Sequence, residues 1–200
     1  MESKTSKDFI AVVIFLIMSI AVIFLVIYFF TLKTDDIDEA SGCENSGPSS
    51  YNVIVVDNTD KLNFIQKKAI ENRIYDIVYD ALPNDKLIIY SLNILEDNSK
   101  IENIDPLVQQ CPYRDGSKAN EWIENPEKLK KMKDERFDKP IEKAIDGILK
   151  KEEDSKYSPI IELIQKIKVT VLHKVTTENK DKSPSEKKSI QIHLFSDLLQ

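Results

Sequence analysis

The clearest structural signal in this chain is a run of mostly β-branched residues that ends in an acid, Tyr51-Asn52-Val53-Ile54-Val55-Val56-Asp57. A continuous apolar run of this length is typical of a strand that is buried on both faces of a parallel sheet. Open α/β sheets bind their ligands beyond the carboxyl ends of such strands. The run therefore predicts a parallel sheet with the carboxylate of Asp57 at its ligand-binding edge.

A second run of the same kind lies near the C-terminus, where Ile190-Gln191-Ile192-His193-Leu194-Phe195 leads into Ser196 and Asp197. Two strands that each present an acid at one sheet edge suggest a cation site. The alternative is that each acid caps the following helix by accepting orphan backbone N–H groups. For either acid alone we favour capping, and for the pair both interpretations stay open.

Strand and helix patterns alternate after Asp57. Apolar residues recur at helical spacing over residues 61–82, and residues 86–93 follow as the next strand. Residues 51–93 therefore predict a βαβ unit with parallel strands. A short edge strand is expected around residues 104–108.

The C-terminal half carries two helix-start signals. Pro126 is suited to the first position of a helix, which Pro140 should kink or divide. Ser158 and Pro159 predict a second start, with Ser158 as N-cap. Together these patterns predict the α/β class: a Rossmann-like open, mostly parallel sheet with helices on both faces.

A membrane anchor is predicted at residues 9–32, which hold no charged side chain and are rich in Ile, Val, Leu and Phe. A helix of this length, at about 1.5 Å per residue, crosses a hydrocarbon core about 30 Å thick. A cleaved signal peptide has a shorter apolar region, about 7–15 residues, and a small-residue cleavage site. This run ends in aromatic residues suited to an interface, so we interpret it as an uncleaved signal anchor.

Lysines around the anchor predict its orientation. Lys4 and Lys7 precede it and Lys33 follows it. The positive-inside rule then places the N-terminus in the cytoplasm and the main domain outside it, in the periplasm or the extracellular space.

Composition divides the chain into a tail (residues 1–8), the anchor (9–32), a flexible acidic linker (33–50) and one domain (51–200). The net charge is −6 and basic residues are interleaved with acids. Without a basic stripe or basic-aromatic alternation, nucleic-acid binding is not expected.

The two cysteines, Cys43 in the linker and Cys111 in the domain, leave two interpretations. Outside the cytoplasm they could form one disulfide that ties the linker to the domain. Because sequence separation does not establish pairing geometry, unpaired thiols are the favoured interpretation.

The turn after the first strand reads Asp57-Asn58-Thr59-Asp60-Lys61, and the last strand ends in Ser196-Asp197. In these motifs and in element order, residues 51–200 resemble a von Willebrand factor A domain. In that family the first strand ends in Asp-x-Ser/Thr-x-Ser, a loop before a middle helix offers a Thr, and the fourth strand ends in Ser/Thr-Asp. Together these residues hold a divalent cation.

The resemblance implies a metal site with four ligands in this chain. Asp57 and Thr59 match the first motif, Asp197 matches the fourth-strand acid, and Ser158 precedes the helix that leads into that strand. Oxygen ligands of this kind suit Mg²⁺ or Mn²⁺.

Lys61 departs from the family pattern, because it stands where the family has its last Ser. An ammonium group has no lone pair to give to a metal. If Lys61 pointed inward, it would pair with Asp57 or Asp60 and replace the cation. If it pointed outward, the remaining ligands could still bind magnesium together with waters.

The family also continues beyond the acid-bearing strand with two more strands and a helix, whereas Gln200 follows Asp197 by three residues. The resemblance therefore implies either a shortened chain or gene fragment, or a reduced variant of the fold with an exposed sheet edge that would be prone to pairing with another chain.

Three functions are compared. The first is a membrane-tethered protein-binding module that uses a divalent cation to bind an acidic group on a partner, and this is the function we expect. The main alternative is a metal-free structural subunit of a membrane complex. The third is a phosphatase-like hydrolase of haloacid dehalogenase type, which needs a second acid where this chain has Thr59.

Other catalytic signatures are weak. No Ser lies in a Gly-x-Ser-x-Gly elbow, and four glycines in the whole chain argue against a phosphate-binding loop. We therefore expect neither catalysis nor a small-molecule substrate.

Overall fold

The computed structural model describes residues 2–31, 37–92, 104–117, 119, 124–150 and 158–196. The chain forms two compact units, Met1–Asp36 and Ile37–Gln200. The first unit contains helix α1 (Glu2–Thr31), in which Phe9–Tyr28 is long and apolar enough to cross a membrane. None of this span is buried.

The second unit is built around a four-stranded sheet in the order β3-β2-β1-β4. Its strands are β1 (Ser50–Val56), β2 (Asp85–Ser91), β3 (Val108–Gln110) and β4 (Ser189–Phe195). β1 pairs in parallel with both β2 and β4, and β3 runs antiparallel to β2. The predicted mostly parallel α/β sheet is confirmed, with β3 at the edge and beginning at the last of the expected residues 104–108.

Five helices belong to this unit in the described part of the chain: α2 (Phe64–Asp80), α3 (Pro126–Lys133), α4 (Lys139–Lys150), α5 (Ile160–Ile167) and α6 (His173–Glu178). A π-helical turn, Asp134–Asp138, joins α3 to α4, and a second one, Lys168–Leu172, joins α5 to α6. A short 3₁₀ helix, Pro184–Glu186, precedes β4.

Helices cover both faces of the sheet, which explains why β1 is apolar without interruption. Alternate β1 residues point to opposite faces, so Ile54 and Val56 face one helical layer while Val53 and Val55 face the other. The first layer consists of α2 and the α3–α4 run, with buried side chains Ile74, Val78, Phe137, Ile141, Ile145 and Ile148. The second layer is the α5–α6 run, with buried side chains Leu163, Ile167, Val171 and Val175.

Pro140 divides the α3–α4 run as the sequence predicts. A proline in a helix has no N–H to donate, and its ring clashes with the carbonyl four residues earlier. The π-helical turn lies immediately before it, and the Lys139 N–H donates to the carbonyl of Asp134, five residues earlier. The wider turn absorbs the clash without ending the helical run.

The start of α5 differs from the sequence prediction. Its N-cap residue is Pro159, which makes no side-chain capping hydrogen bond. The Ser158 hydroxyl instead donates to the carboxylate of Asp57. The N-cap role expected for Ser158 is therefore wrong, because α5 begins at Ile160 and its N-cap position falls on Pro159.

Cys43 and Cys111 form a disulfide, so the favoured interpretation of unpaired thiols is wrong. Two hydrogen bonds hold these segments together: the Cys111 N–H donates to the Ser41 carbonyl, and the Tyr113 hydroxyl donates to the Glu39 carbonyl. The compact unit begins at Ile37, whereas the sequence predicts a flexible linker as far as residue 50. Residues 37–50 thus lie against the domain.

Gly42 makes this close approach possible. Its φ is +70°, and a Cβ atom there would lie 2.6 Å from the Cys111 carbonyl oxygen. Any other residue would be strained in this conformation and would also collide with backbone.

Candidate cation-binding site

Asp57 follows the last residue of β1 and is 7% exposed. Its carboxylate accepts four hydrogen bonds. Oδ1 accepts from the Thr59 N–H at 3.2 Å and from the Thr59 hydroxyl at 2.6 Å. Oδ2 accepts from the hydroxyls of Ser158 and Ser196, both at 3.0 Å. Three hydroxyl groups therefore converge on one buried carboxylate.

The sheet register brings Ser196 to this position. Val56 of β1 pairs with Phe195 of β4, so the residues that follow, Asp57 and Ser196, leave the sheet side by side. The Asp57 N–H donates to the Phe195 carbonyl at 2.8 Å and extends the ladder to the site itself. The two strand ends thus meet at one edge, as parallel strands do.

Ser158 reaches the site from the second helical layer, where it directly precedes Pro159 and α5. Its bond to Asp57 joins residues 101 positions apart, and the Ser196 bond joins residues 139 apart. Contacts of such range form only in the folded domain. Among the four predicted ligands, Asp57, Thr59 and Ser158 are brought together.

Asp197, the fourth predicted ligand, lies outside the described residues, and its part in the site stays a prediction. Sequence reasoning did not single out Ser196 as a site residue. The signal for it was the position of Ser196 directly after the last strand residue, which matches the position of Asp57 after β1.

A second polar cluster adjoins the site on the side of α4. The Asn58 side chain donates to the Ile148 carbonyl at 2.9 Å and accepts from the Ser91 hydroxyl at 2.8 Å. Asn58 and Ser91 are both buried. These bonds join the loop after β1 to the end of β2 and to α4, so they fix the backbone that carries Asp57.

A cleft of about 420 Å³ opens beside this cluster. It is lined by Asn58, Ser91, Leu107, Pro140, Lys143, Ala144, Gly147 and Ile148. The sheet edge that carries Asp57 therefore has a concave neighbour, which is common where open α/β sheets bind ligands.

Asp57 does not cap a helix, so the capping interpretation is wrong for this residue. α2 begins at Phe64 rather than at residue 61, and its N-cap is Asn63. Asn63 and Gln66 form a reciprocal capping box, with both hydrogen bonds at 2.9 Å. The N–H groups of α2 are satisfied by this box, which leaves Asp57 available to the site.

Of the two alternatives for Lys61, inward and paired with an acid or outward, the structure agrees with the outward one. Lys61 is exposed and, within the described ranges, forms no ion pair with Asp57 or Asp60. All four groups that bind the Asp57 carboxylate are neutral. A buried anion held by neutral donors attracts a cation more strongly than one already neutralised by a lysine.

The side chains present offer oxygen ligands of the type that suits a hard divalent cation, and the acceptor directions of the Asp57 carboxylate are filled by protein donors. One carboxylate and three hydroxyl oxygens are the ligand type that Mg²⁺ and Mn²⁺ prefer. A hydroxyl that donates its hydrogen to Asp57 keeps its oxygen lone pairs for a metal. The set carries one negative charge, so a bound Mg²⁺ would retain several waters. Among the described residues no group of three or more His, Cys, Asp or Glu could hold a metal ion.

Comparisons with protein-family models, with curated proteins and with solved structures find no match to this chain.

Proposed function

We propose that this chain is a membrane-tethered protein-binding module that uses a divalent cation, held at Asp57, Thr59, Ser158 and Ser196, to bind an acidic group on a partner protein. The observation that supports it most is the convergence of three hydroxyls from three segments on one buried carboxylate. Asp197, the next residue in sequence, would add a second carboxylate. The resemblance to von Willebrand factor A domains supports the same proposal.

Each residue has a distinct task in this proposal. Asp57 supplies the negative charge, and the Thr59 N–H fixes the orientation of its carboxylate. Thr59, Ser158 and Ser196 supply neutral oxygens, which leave a net positive charge at the bound cation. A bound Mg²⁺ or Mn²⁺ offers an open coordination position that a partner carboxylate can fill.

The tether and the compartment belong to the same proposal. Phe9–Tyr28 would anchor the chain in the membrane as a single-pass signal anchor. Disulfides persist in oxidising compartments and are rare in the cytosol. The Cys43–Cys111 bond therefore supports a domain outside the cytoplasm, in agreement with the lysine bias around the anchor.

A metal-free structural subunit is the second candidate, and one observation favours it. The four acceptor directions of the Asp57 carboxylate are already filled by protein donors. In that case the network would only tie β1, β4 and the start of α5 together. The two candidates differ in whether a cation changes what the domain binds.

The test is a selection of displayed random peptides against the full chain in lipid nanodiscs, with Mg²⁺ or with a chelator. The proposal predicts binders enriched in Asp and Glu that are released by the chelator. An Asp57→Asn variant should lose them, and Asp60→Asn is the matched control, because Asp60 is an exposed acid three positions away. Binders that lack acids, or that survive the chelator, would support the metal-free candidate.

A further inference from the structure

In the described part of the chain, no strand pairs with the outer edge of β4. Among the described strands β4 pairs only with β1, and the opposite edge of the sheet is β3, which has three residues. Proteins usually blunt open edges with short strands, lysines, prolines or bulges. β4 has seven residues, Ser189–Phe195, with neither a charged residue nor a proline among them. It is therefore a complete strand edge that can accept another strand.

Apolar side chains accompany this edge. Ile192 is 47% exposed and Leu194 is 39% exposed. Both lie beside Val53 and Val55 of β1, hence on the face that α5 and α6 cover. Half-exposed apolar residues on an open strand indicate a surface that becomes buried when a further strand is added.

Helix α5 extends the apolar surface toward the same side. Lys166 of α5 donates to the carbonyl of Ile104, which precedes β3 at the far edge of the sheet. Ile164 lies two residues earlier, about 200° around the helix, and so faces the β4 side. It is 40% exposed. The β4 edge and this side of α5 together form one surface, which we call the β4 surface.

We propose that the β4 surface is the interface of a homodimer in which β4 pairs antiparallel with β4 of a second copy, around a two-fold axis at Ile192. The strand is self-complementary in this register. Ile190 lies opposite Leu194 of the second copy on the helix-covered face. Gln191 lies opposite His193 of the second copy on the other face, so apolar residues meet apolar ones and polar residues meet polar ones.

The symmetry of this pairing also fixes on which face of the joined sheet the α5–α6 runs of the two copies lie. A two-fold axis perpendicular to the sheet keeps the α5–α6 runs of both copies on the same face of the joined sheet. Two four-stranded sheets then become one continuous sheet. An uncharged, self-complementary strand favours a second copy over a different protein. Anchoring by α1 would raise the local concentration of that copy.

The first test is a cysteine cross-link on the full chain reconstituted in liposomes. Both native cysteines are in the disulfide, so a new cysteine is the one free thiol among the described residues. Ile192→Cys places two thiols on the axis, at a separation typical of directly opposed strand residues. Tyr79→Cys, on α2 and 79% exposed, is the control. The dimer predicts that Ile192→Cys cross-links at least tenfold faster under mild oxidation, and equal rates would overturn it.

The second test is mass measurement by light scattering in detergent. Wild type should be dimeric and Ile192→Lys monomeric, because the substitution places two ammonium groups on the axis. Ile65→Lys, at an exposed position of α2, should stay dimeric. A dimeric Ile192→Lys protein would overturn the proposal, since association would then come from elsewhere. If Ile192→Lys fails to fold by circular dichroism, the conservative cysteine variant decides alone.

Discussion

At the scale of single residues, the Asp57 network combines strong donors with a buried acceptor. The Thr59 hydroxyl lies 2.6 Å from Oδ1, a distance typical of a charge-assisted O–H···O⁻ bond. Hydrogen bonds to charged groups contribute about 1.5–3 kcal/mol to stability, more than bonds between neutral groups. The network should therefore contribute measurably to folding whether or not a cation binds.

Thr59→Val tests this contribution, because it keeps the shape of the side chain and removes the hydroxyl. We expect a loss of about 1.5–3 kcal/mol in the free energy of unfolding, measured by urea denaturation. Thr170→Val is the control, since the Thr170 hydroxyl bonds to the Lys166 carbonyl on an exposed helical surface. Equal losses in the two variants would mean that the buried carboxylate does not depend on Thr59.

Tyr51 offers a second residue-scale prediction. Its hydroxyl is buried and has no hydrogen-bond partner among the described residues. Burial, followed by the negative charge of Glu178, raises the Tyr51 pKa from 10.0 to about 12. Removing an unsatisfied polar atom from a buried site costs little or stabilises, so Tyr51→Phe should unfold at the same or a higher urea concentration at pH 7.

The pH dependence of Tyr51 follows from the direction of its shift. Because the folded state favours the neutral phenol, the raised pKa of Tyr51 contributes fully to the free energy of unfolding below pH 10. This contribution is lost as pH rises from about 10 toward 12. Between pH 9 and pH 11, wild type should therefore lose more stability than Tyr51→Phe, with all other titrations common to both proteins. If the free energy of unfolding fell equally with pH in the two proteins, the raised pKa of Tyr51 would be contradicted.

At the scale of elements, periodicity predicted most of the sheet and α2. The apolar runs correctly predicted the positions of β1, β2 and β4. Pro126 predicted the start of α3, and Pro140 predicted the division before α4. The exact start of α2 was not predicted, although Asn63 followed three residues later by Gln66 is the capping-box signature that marks it. Ser158 was predicted as a site residue, but its expected N-cap role was wrong, because α5 begins one residue later than predicted and its N-cap is Pro159.

A variant of Asn63 tests the N-cap of α2 separately from the proposed cation site. Asn63→Ala should cost about 1 kcal/mol of stability through the lost N-cap, measured by thermal unfolding. Magnesium affinity should stay unchanged, because Asn63 bonds to Gln66 and not to Asp57. A large fall in magnesium affinity in this variant would show that the start of α2 belongs to the site.

At the scale of the whole molecule, the disulfide was the feature least accessible from sequence. Two cysteines 68 residues apart pair because β3 and the segment after Ile37 lie against each other in the folded domain. The site was only partly predictable for a similar reason. Whether Ser196 reaches Asp57 depends on the register between β1 and β4, strands far apart in sequence, and that register is set by long-range packing.

Removing the disulfide gives a whole-molecule prediction. Closing a loop of this length stabilises by about 4 kcal/mol through the unfolded state, so the Cys43→Ser, Cys111→Ser double variant should lose a comparable amount. Wild type treated with reductant is the matched control and should lose the same amount.

Maleimide labelling of intact cells then tests the compartment of the domain. Native cysteines that react without reductant would place the domain in the cytosol and contradict the proposed orientation.

The central claim is that Asp57 and the hydroxyls around it bind a hard divalent cation. The most direct measurement is calorimetric titration of Mg²⁺ and Mn²⁺ into the full chain in nanodiscs, alongside the Asp57→Asn and Asp60→Asn variants. The account predicts saturable binding in wild type and Asp60→Asn, loss of binding in Asp57→Asn, and about 1.4 kcal/mol of added stability at a cation concentration of ten times Kd. A folded wild-type protein that takes up neither cation, or an Asp57→Asn variant that binds as wild type does, would contradict it.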